Sequence, residues 1–318
     1  MKTLKFSFRP KIWGILWGIL FSGNLLAQPD TLSFLHISDT HLIFNLDFYR
    51  SELAEPREHY GEGVEPLKQF LLSASETTNC DFITITGDLI DFFEMETKDE
   101  KMMGFQIEQF SRVMDESLVP VFTTLGNHDI AAYSWANGEK VTSQNVAGRA
   151  RADWIKNGGC FTHGTYYSRV YEVGTKTYRL IFLDDAYNKF QPGENVELPY
   201  IDKPQMHWLK AQLQKSDDDI EIVLMHVPIV PANSPADPSC ELYSLLAKYP
   251  SSKMVLAGHN HKSAVRDFYS AENNRITQVQ TEAFGSGDEN WRLIRLTENK
   301  ILVSSPGRID SELEILID

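Results

Sequence analysis

Cysteine is scarce in this 318-residue chain: Cys80, Cys160 and Cys240 are the only three, and none stands at metal-ligand spacing from another. A dense disulfide framework is excluded, leaving one optional bridge plus a thiol, or three thiols. Cations are also outnumbered. Lysine and arginine total 30 against 44 aspartates and glutamates, a formal charge of −14. Such a surface repels a long polyanion and excludes extended nucleic acid as a partner. A small phosphorylated substrate stays open, because a bound metal dominates its local field. The 19 glycines and 14 prolines show no period, and no segment repeats at fixed spacing. Collagen-like, low-complexity and solenoid architectures are therefore excluded. No apolar run reaches the ~20 residues of a membrane-spanning helix. What the chain does have is core material, with 42% hydrophobic and 11% aromatic residues, which argues against global disorder.

Four of the cations, Lys2, Lys5, Arg9 and Lys11, precede every acidic residue and lead into the apolar run Ile12 to Phe21. Ser22-Gly23-Asn24-Leu25-Leu26-Ala27 follows. This layout predicts a secretory signal over residues 1–27, cleaved after Ala27, and export to a bacterial periplasm or beyond. An uncleaved amino-terminal anchor is the alternative. With the leader removed, no transmembrane span is expected. Residues 28–318 contain no proline- or serine-rich linker and read as a single domain.

Continuous apolar runs recur at Leu32 to Ile37, Phe82 to Thr86, Val119 to Leu125, Arg179 to Leu183, Ile220 to Met225 and Lys253 to Ala257. They predict strands covered on both faces. Helical spacing lies between them, as in Leu67, Phe70, Leu71 and Ala74, and again in Phe105, Ile107, Phe110 and Val113. Asp202-Lys203-Pro204 reads as a helix start, and Glu241 to Tyr249 as a further helix. Tyr166 to Val173 and Lys176 to Leu183 form a strand pair around Gly174. More strands are expected at Arg275 to Gln280, Trp291 to Leu296 and Lys300 to Ser304. The expected class is α/β (α+β by some schemes), with a two-sheet β-sandwich core flanked by helices.

Polar residues collect where these strands end. The ends read Ser38-Asp39-Thr40-His41, Gly87-Asp88-Leu89-Ile90-Asp91, Gly126-Asn127-His128-Asp129, His226, and Gly258-His259-Asn260-His261. Each has a plain structural reading: Asp39 as a turn cap, Asp88 as an Asx turn, Asn127 as a left-handed bend, His226 as a core histidine. Together those readings fail, because burying several carboxylates beside imidazoles is costly without cations to satisfy them. The mixed oxygen and nitrogen set suits a dinuclear divalent metal site.

With these five blocks in order, the chain resembles the calcineurin-like metallophosphoesterases from about Ser33 to Leu296. The resemblance implies that family's four-layer fold and two divalent ions. Asp39, His41 and His261 would bind one ion, and Asn127, His226 and His259 the other, with Asp88 bridging. His128 would face the substrate, as hydrogen-bond donor or as acid to the leaving group, with Asp129 fixing its tautomer or merely stabilising the turn. An activated bridging hydroxide would attack phosphorus in line. The purple acid phosphatases of this superfamily carry a tyrosine where this chain has Asp91, so a ferric ion is not expected. Manganese, zinc and ferrous iron stay open.

Substrate is less legible. Leu42 to Gly63, Ile130 to Thr165 and the proline-rich Pro228 to Ser239 read as pocket-building stretches, with Arg50, Arg149 and Arg151 as candidate phosphate contacts. Val146 to Ile155 reads either as pocket wall or as a surface helix. Tyr166 and Tyr167 read as a packed strand start. With no second globular domain expected after the metal scaffold, the chain resembles compact bacterial exported phosphodiesterase and phosphatase members. The metal motifs hold no lysine or arginine, which tilts the reading towards hydrolysis of a small, singly charged phosphodiester. The alternatives are a broad-specificity phosphomonoesterase and a non-catalytic protein that binds metal or a phosphate ligand.

Overall fold

Strands that are apolar on every side need cover on both faces, and this chain provides it in four layers. The computed structural model describes residues 30–186, 199–215, 219–230, 240–269, 274–286 and 289–317. The expected leader, 1–27, and most of the proline-rich stretch 228–239 lie outside the described residues.

One six-stranded sheet has the order Ser311–Leu316, Lys300–Ser304, Arg292–Thr297, Thr31–Ile37, Phe82–Thr86, Val121–Thr124, its last three strands parallel. The second has the order Ala264–Tyr269, Arg275–Gln280, Ser252–Ala257, Asp219–Leu224, Lys176–Phe182, Tyr167–Val173, its middle four parallel. Between the sheets, Phe34, Phe82, Ile294 and Val303 of the first pack with Leu180, Phe182, Ile222 and Leu256 of the second. Outside the first sheet, helices Val64–Thr78, Gln106–Met114 and Ala147–Asn157 set Leu67, Phe110 and Trp154 against Leu35, Ile83 and Ile85. Outside the second, Lys203–Leu213 and Glu241–Leu246 set Leu209 and Leu242 against Ile181, Val223 and Val255. The two-sheet core flanked by helices is therefore the architecture that the sequence led us to expect.

Local chemistry accounts for the boundaries. The Asp202 side chain accepts a hydrogen bond from Gln205 N at 2.8 Å, capping its helix. Asn79, in the left-handed region at φ 54°, ends Val64–Thr78. Trp154 and Ala150 bury one face of Ala147–Asn157 in the core while Gly148, Arg149, Ala152 and Asp153 stay exposed, so of the two readings this segment is the ordinary surface helix. The third sheet, in the order Met102–Met103, Glu94–Glu96, Ala132–Ala136, Glu139–Ser143, was not legible, since its strands are short and rich in polar residues. Glu94 and Glu96 are tolerated there because Arg149 and Arg50 pair with them. Among the described residues no disulfide forms, and no helix is long and apolar enough to cross a membrane.

The space between the sheets changes character along its length. Leu32 and Phe34 are apolar, but two residues further on the same face of the strand offers His36 and then Ser38. His36, wholly buried, bonds Thr86 Oγ1 through Nε2 and Thr281 Oγ1 through Nδ1, both at 2.8 Å. Burial, with Arg292 nearby, lowers its pKa from 6.5 to about 3. Folded His36 thus takes up a proton only near pH 3, whereas the unfolded chain does so near 6.5. Between those values the unfolded state binds more protons, so this residue makes stability fall as pH falls. His36→Gln, which keeps a polar side chain without titrating, should lessen that fall. Urea melts of both proteins from neutral pH down to about pH 4 measure it, and equal slopes would count against a neutral buried imidazole.

Candidate metal centre

Each strand that reaches this end of the molecule turns sharply, and the turn aims its polar residue inwards. Asp39, His41, Asp88, His259 and His261 have φ of 54°, 44°, 48°, 71° and 50°. Left-handed backbone costs a non-glycine residue about 1–3 kcal/mol. Five such residues at one spot mark strain concentrated at a functional site. The motif glycines serve close approach. A Cβ on Gly126 would overlap the Asp88 backbone and carboxylate, and one on Gly258 would overlap Ser38 Oγ and Asp39 Oδ2.

The turns bring the expected residues into two groups. In the first, His41 Nε2 lies 3.0 Å from His261 Nε2 and 3.9 Å from Asp39 Oδ1, and His261 Nε2 is 3.4 Å from the same oxygen. In the second, His226 Nε2 is 3.2 Å from Asn127 Oδ1, 3.2 Å from His259 Nδ1 and 3.1 Å from Asp88 Oδ2. Asp88 Oδ2 also lies 3.6 Å from His41 Nε2, so this carboxylate stands between the groups. Two imidazole nitrogens facing each other at 3.0 Å are unfavourable unless a cation or proton lies between their lone pairs. The donor set of carboxylate, amide and imidazole fits first-row divalent metals.

Outer contacts aim these donors. Thr86 O accepts from His226 Nδ1 at 2.9 Å, which leaves the Nε2 lone pair for the centre. Asp185 receives the backbone N–H groups of His226 and Val227 at 2.8 and 2.7 Å. His128 N donates to Asp88 Oδ1 at 2.9 Å, turning Oδ2 inwards. Electrostatics agree with a site built for positive charge. Burial alone would lower His226, but Asp88 beside it outweighs burial and lifts its pKa to about 10. His259, lowered by burial and by the neighbouring His226, sits at about 4. Burial would likewise lower His128, yet Asp88 and Asp91 raise it to about 9.

One expectation needs correction. Asp129 does not fix the His128 ring. Its carboxylate accepts from Ile90 N at 3.0 Å and Gly126 N at 2.7 Å, so it braces two loops instead. His128 Nδ1 faces Asp91 O at 2.9 Å, the Tyr133 hydroxyl at 2.7 Å and Asp91 Oδ1 at 3.3 Å. Asp91 Oδ1 also lies 3.2 Å from His41 Nδ1, so this aspartate orients two imidazoles at once. Arg57 grips both Asp91 oxygens, Oδ1 from Nη2 at 2.7 Å and Oδ2 from Nε. Burial would raise Asp91, but His128, His41 and Arg57 hold its pKa well below the usual carboxylate range.

Sequence reasoning missed Arg57 and saw Asp91 only as a missing tyrosine. The available signal was a second buried carboxylate three residues after Asp88. The three arginines singled out lie in other pairs: Arg50 with Glu96, Arg149 with Glu94, and Arg151 with Asp184. Tyr60, in the first pocket-building stretch, does reach the centre and stacks on His41 with ring centroids 4.7 Å apart. Tyr167 packs at its strand start as expected, its hydroxyl bridging the N–H and C=O of Thr123.

Comparison with known proteins places this geometry. A profile of the calcineurin-like phosphoesterase family matches residues 32–263. Among curated proteins, a manganese-dependent ADP-ribose/CDP-alcohol diphosphatase of Xenopus tropicalis is 26% identical over 59% of this chain and 66% of its own length. A glycerophosphodiester phosphodiesterase of Enterobacter lignolyticus (strain SCF1) is 29% identical over 32% of this chain and 36% of its own length. The matches thus span less than two thirds of either relative. Among solved structures, a dimetal phosphatase from Danio rerio superposes with a TM-score of 0.60 at 15% identity, covering 92% of this chain and all of that one.

The close packing around Gly258 yields a test. Gly258→Ala should displace Asp39 and weaken metal binding, read by titration calorimetry, while leaving the far-ultraviolet spectrum unchanged. Unaltered metal affinity would show that the loop yields without moving Asp39.

Proposed function

The chain belongs to the calcineurin-like phosphoesterase family, and from that premise we propose that it hydrolyses a small phosphodiester with two divalent ions bound at the strand ends. The observation that carries this reading is the convergence of seven donor side chains, from five strand ends, into two groups that meet at Asp88. Asp39, His41 and His261 would hold one ion and Asn127, His226 and His259 the other, with Asp88 shared. Bound ions of this kind supply Lewis acidity and a water of lowered pKa. Manganese, zinc or ferrous iron suits the donors, and Asp91, clamped by Arg57, occupies the place of a phenolate ligand.

His128 is the motif histidine left over from both groups. Its side chain is 23% exposed, against 0–2% for His41, His226 and Asp88 and 35% for His261, so a substrate can touch it. Its Nε2 would donate to a phosphoryl oxygen or to the leaving alkoxide. Asp91 and Tyr133 hold the ring from behind. Asp129 serves the loop beneath.

The charge balance favours a diester. Arg50, Arg149 and Arg151 are all engaged with carboxylates, and the Arg57 charge is met by Asp91. A singly charged phosphodiester asks for less added positive charge than a monoester dianion. The bacterial relative is named for a glycerophosphodiester, which agrees with this preference. The leader would deliver the activity outside the cytoplasm, which fractionation of the native host would check.

Metal analysis should find close to two ions per chain. Asp88→Asn should lower both, and His261→Ala mainly one; saturation at a single ion with full activity would sink the paired assignment. His128→Ala should keep its metals and lose about 10²–10⁴-fold in turnover on a poor leaving group, with a smaller loss on an acidic one. The substrate class is tested by kcat/KM on matched mono- and diesters, including a cyclic nucleotide and a glycerophosphodiester. A monoester preference above about tenfold would replace the diesterase reading with the phosphomonoesterase one, and inertness on every ester with both ions bound would favour a non-catalytic binding protein.

A further inference from the structure

The outer face of the second sheet carries a groove that the metal centre does not explain. Helices Lys203–Leu213 and Glu241–Leu246 each connect neighbouring parallel strands of that sheet, so they run the same way across it. Between them is a cavity of about 440 Å³, within the roughly 300–1,000 Å³ of small-molecule sites. One stripe of each helix faces it. The first supplies Lys203, Met206, His207 and Lys210 at helical spacing. The second supplies Glu241 and Leu245, and the turn that follows it adds Lys248 and Tyr249. We infer that this groove binds a small organic phosphate, with Lys210 and Lys248 on the phosphate and Met206, Leu245 and Tyr249 beneath the organic part.

Charge is the first ground. Three lysines and one glutamate line the cavity, in a chain whose formal charge is −14. Lys68 and Lys300 pair with glutamates on the surface. Among the described residues, Lys203, Lys210 and Lys248 pair with no carboxylate, although Glu241 lies on the same wall. Like charges gathered around a hollow repel one another, and a bound anion removes that repulsion. Because the helices run in parallel, Lys210 and Lys248, seven residues beyond Lys203 and Glu241, share one end of the groove. Two ammonium groups there match the charge of a phosphate dianion.

The floor is the second ground. Leu245 is 9% exposed, and Met206 and Tyr249 are half-buried. A bare inorganic ion would leave their apolar surface wet, whereas an organic substituent covers it. His207 offers a ring N–H midway along the first helix. The lysines surround a hollow and not a protrusion, which favours a discrete molecule over a membrane surface. Neither helix supplies a metal donor, so the inference stands independently of the proposed activity.

Methyl-¹³C methionine spectra of the metal-loaded protein test this, with Met206 identified by the loss of its signal in Met206→Leu. Phenylphosphonate, which has no ester bond to hydrolyse, should move that signal saturably. Inorganic phosphate should need about tenfold more, since it leaves the floor uncovered. Lys210→Gln and Lys248→Gln should each weaken phenylphosphonate binding about tenfold, whereas Lys203→Gln should matter less and Lys248→Arg little. Glu241→Gln should tighten binding about two- to threefold, a gain that misfolding cannot imitate. The inference is overturned by a Met206 signal that stays in place, or that moves equally with sodium chloride at matched ionic strength. Equal potency of inorganic phosphate, or unaltered affinity in both Lys210→Gln and Lys248→Gln, would overturn it as well. A response to phosphatidic acid vesicles without one to phenylphosphonate would replace it with a membrane contact.

Discussion

Asp88 is the point on which the rest of the site depends. Its carboxylate is 2% exposed and has His41, His226 and His128 within 4.0 Å, while one of its oxygens is pinned by the His128 backbone. A carboxylate taken this far from water needs positive charge close by, and the surrounding imidazoles can supply it either as protons or by gathering metal ions. Against burial, Asp88 lifts the His226 pKa to about 10, whereas burial and the neighbouring His226 hold His259 at about 4. Every other specialised feature serves that placement: the left-handed turns, the glycines that let loops touch, and the Thr86 carbonyl that sets the His226 tautomer.

Asp91 repeats the pattern one layer out. It joins His41 of one donor group to His128 of the substrate face and is itself held by Arg57. Through Arg57 and Tyr133 the centre extends into the small third sheet and the short helices between 51 and 61, which have their own apolar cluster of Tyr49, Leu53, Phe92 and Met95.

The sequence was legible where meaning is local. An apolar run ending in Gly-Asp or Gly-Asn-His announces both a buried strand and a polar turn, and all seven candidate ligands meet where those turns converge. It was illegible where meaning depends on contacts across the fold. Arg57 sits in an aperiodic Glu-Pro-Arg-Glu stretch, and nothing in its neighbours points to Asp91 34 residues away. Asp129 misled for the opposite reason. It follows His128 directly, yet the 3-10 turn His128–Ile130 sends its carboxylate into the interior while the imidazole stays at the surface. Adjacency in the chain became divergence in space.

The two donor groups draw on both sheets. Asp39, His41, Asp88 and Asn127 extend from strands of the first, whereas His226, His259 and His261 extend from the second. Any ion held here is therefore a rivet through the seam of the sandwich, placed at the end where His36, Ser38 and Thr86 have replaced the apolar contacts of Phe34 and Phe182. Binding that exists only when the sheets are docked adds its free energy to the docking. Were ions bound here as proposed, the durability of this protein would be tied to their supply, and scarcity would act on its lifetime as well as on its catalysis.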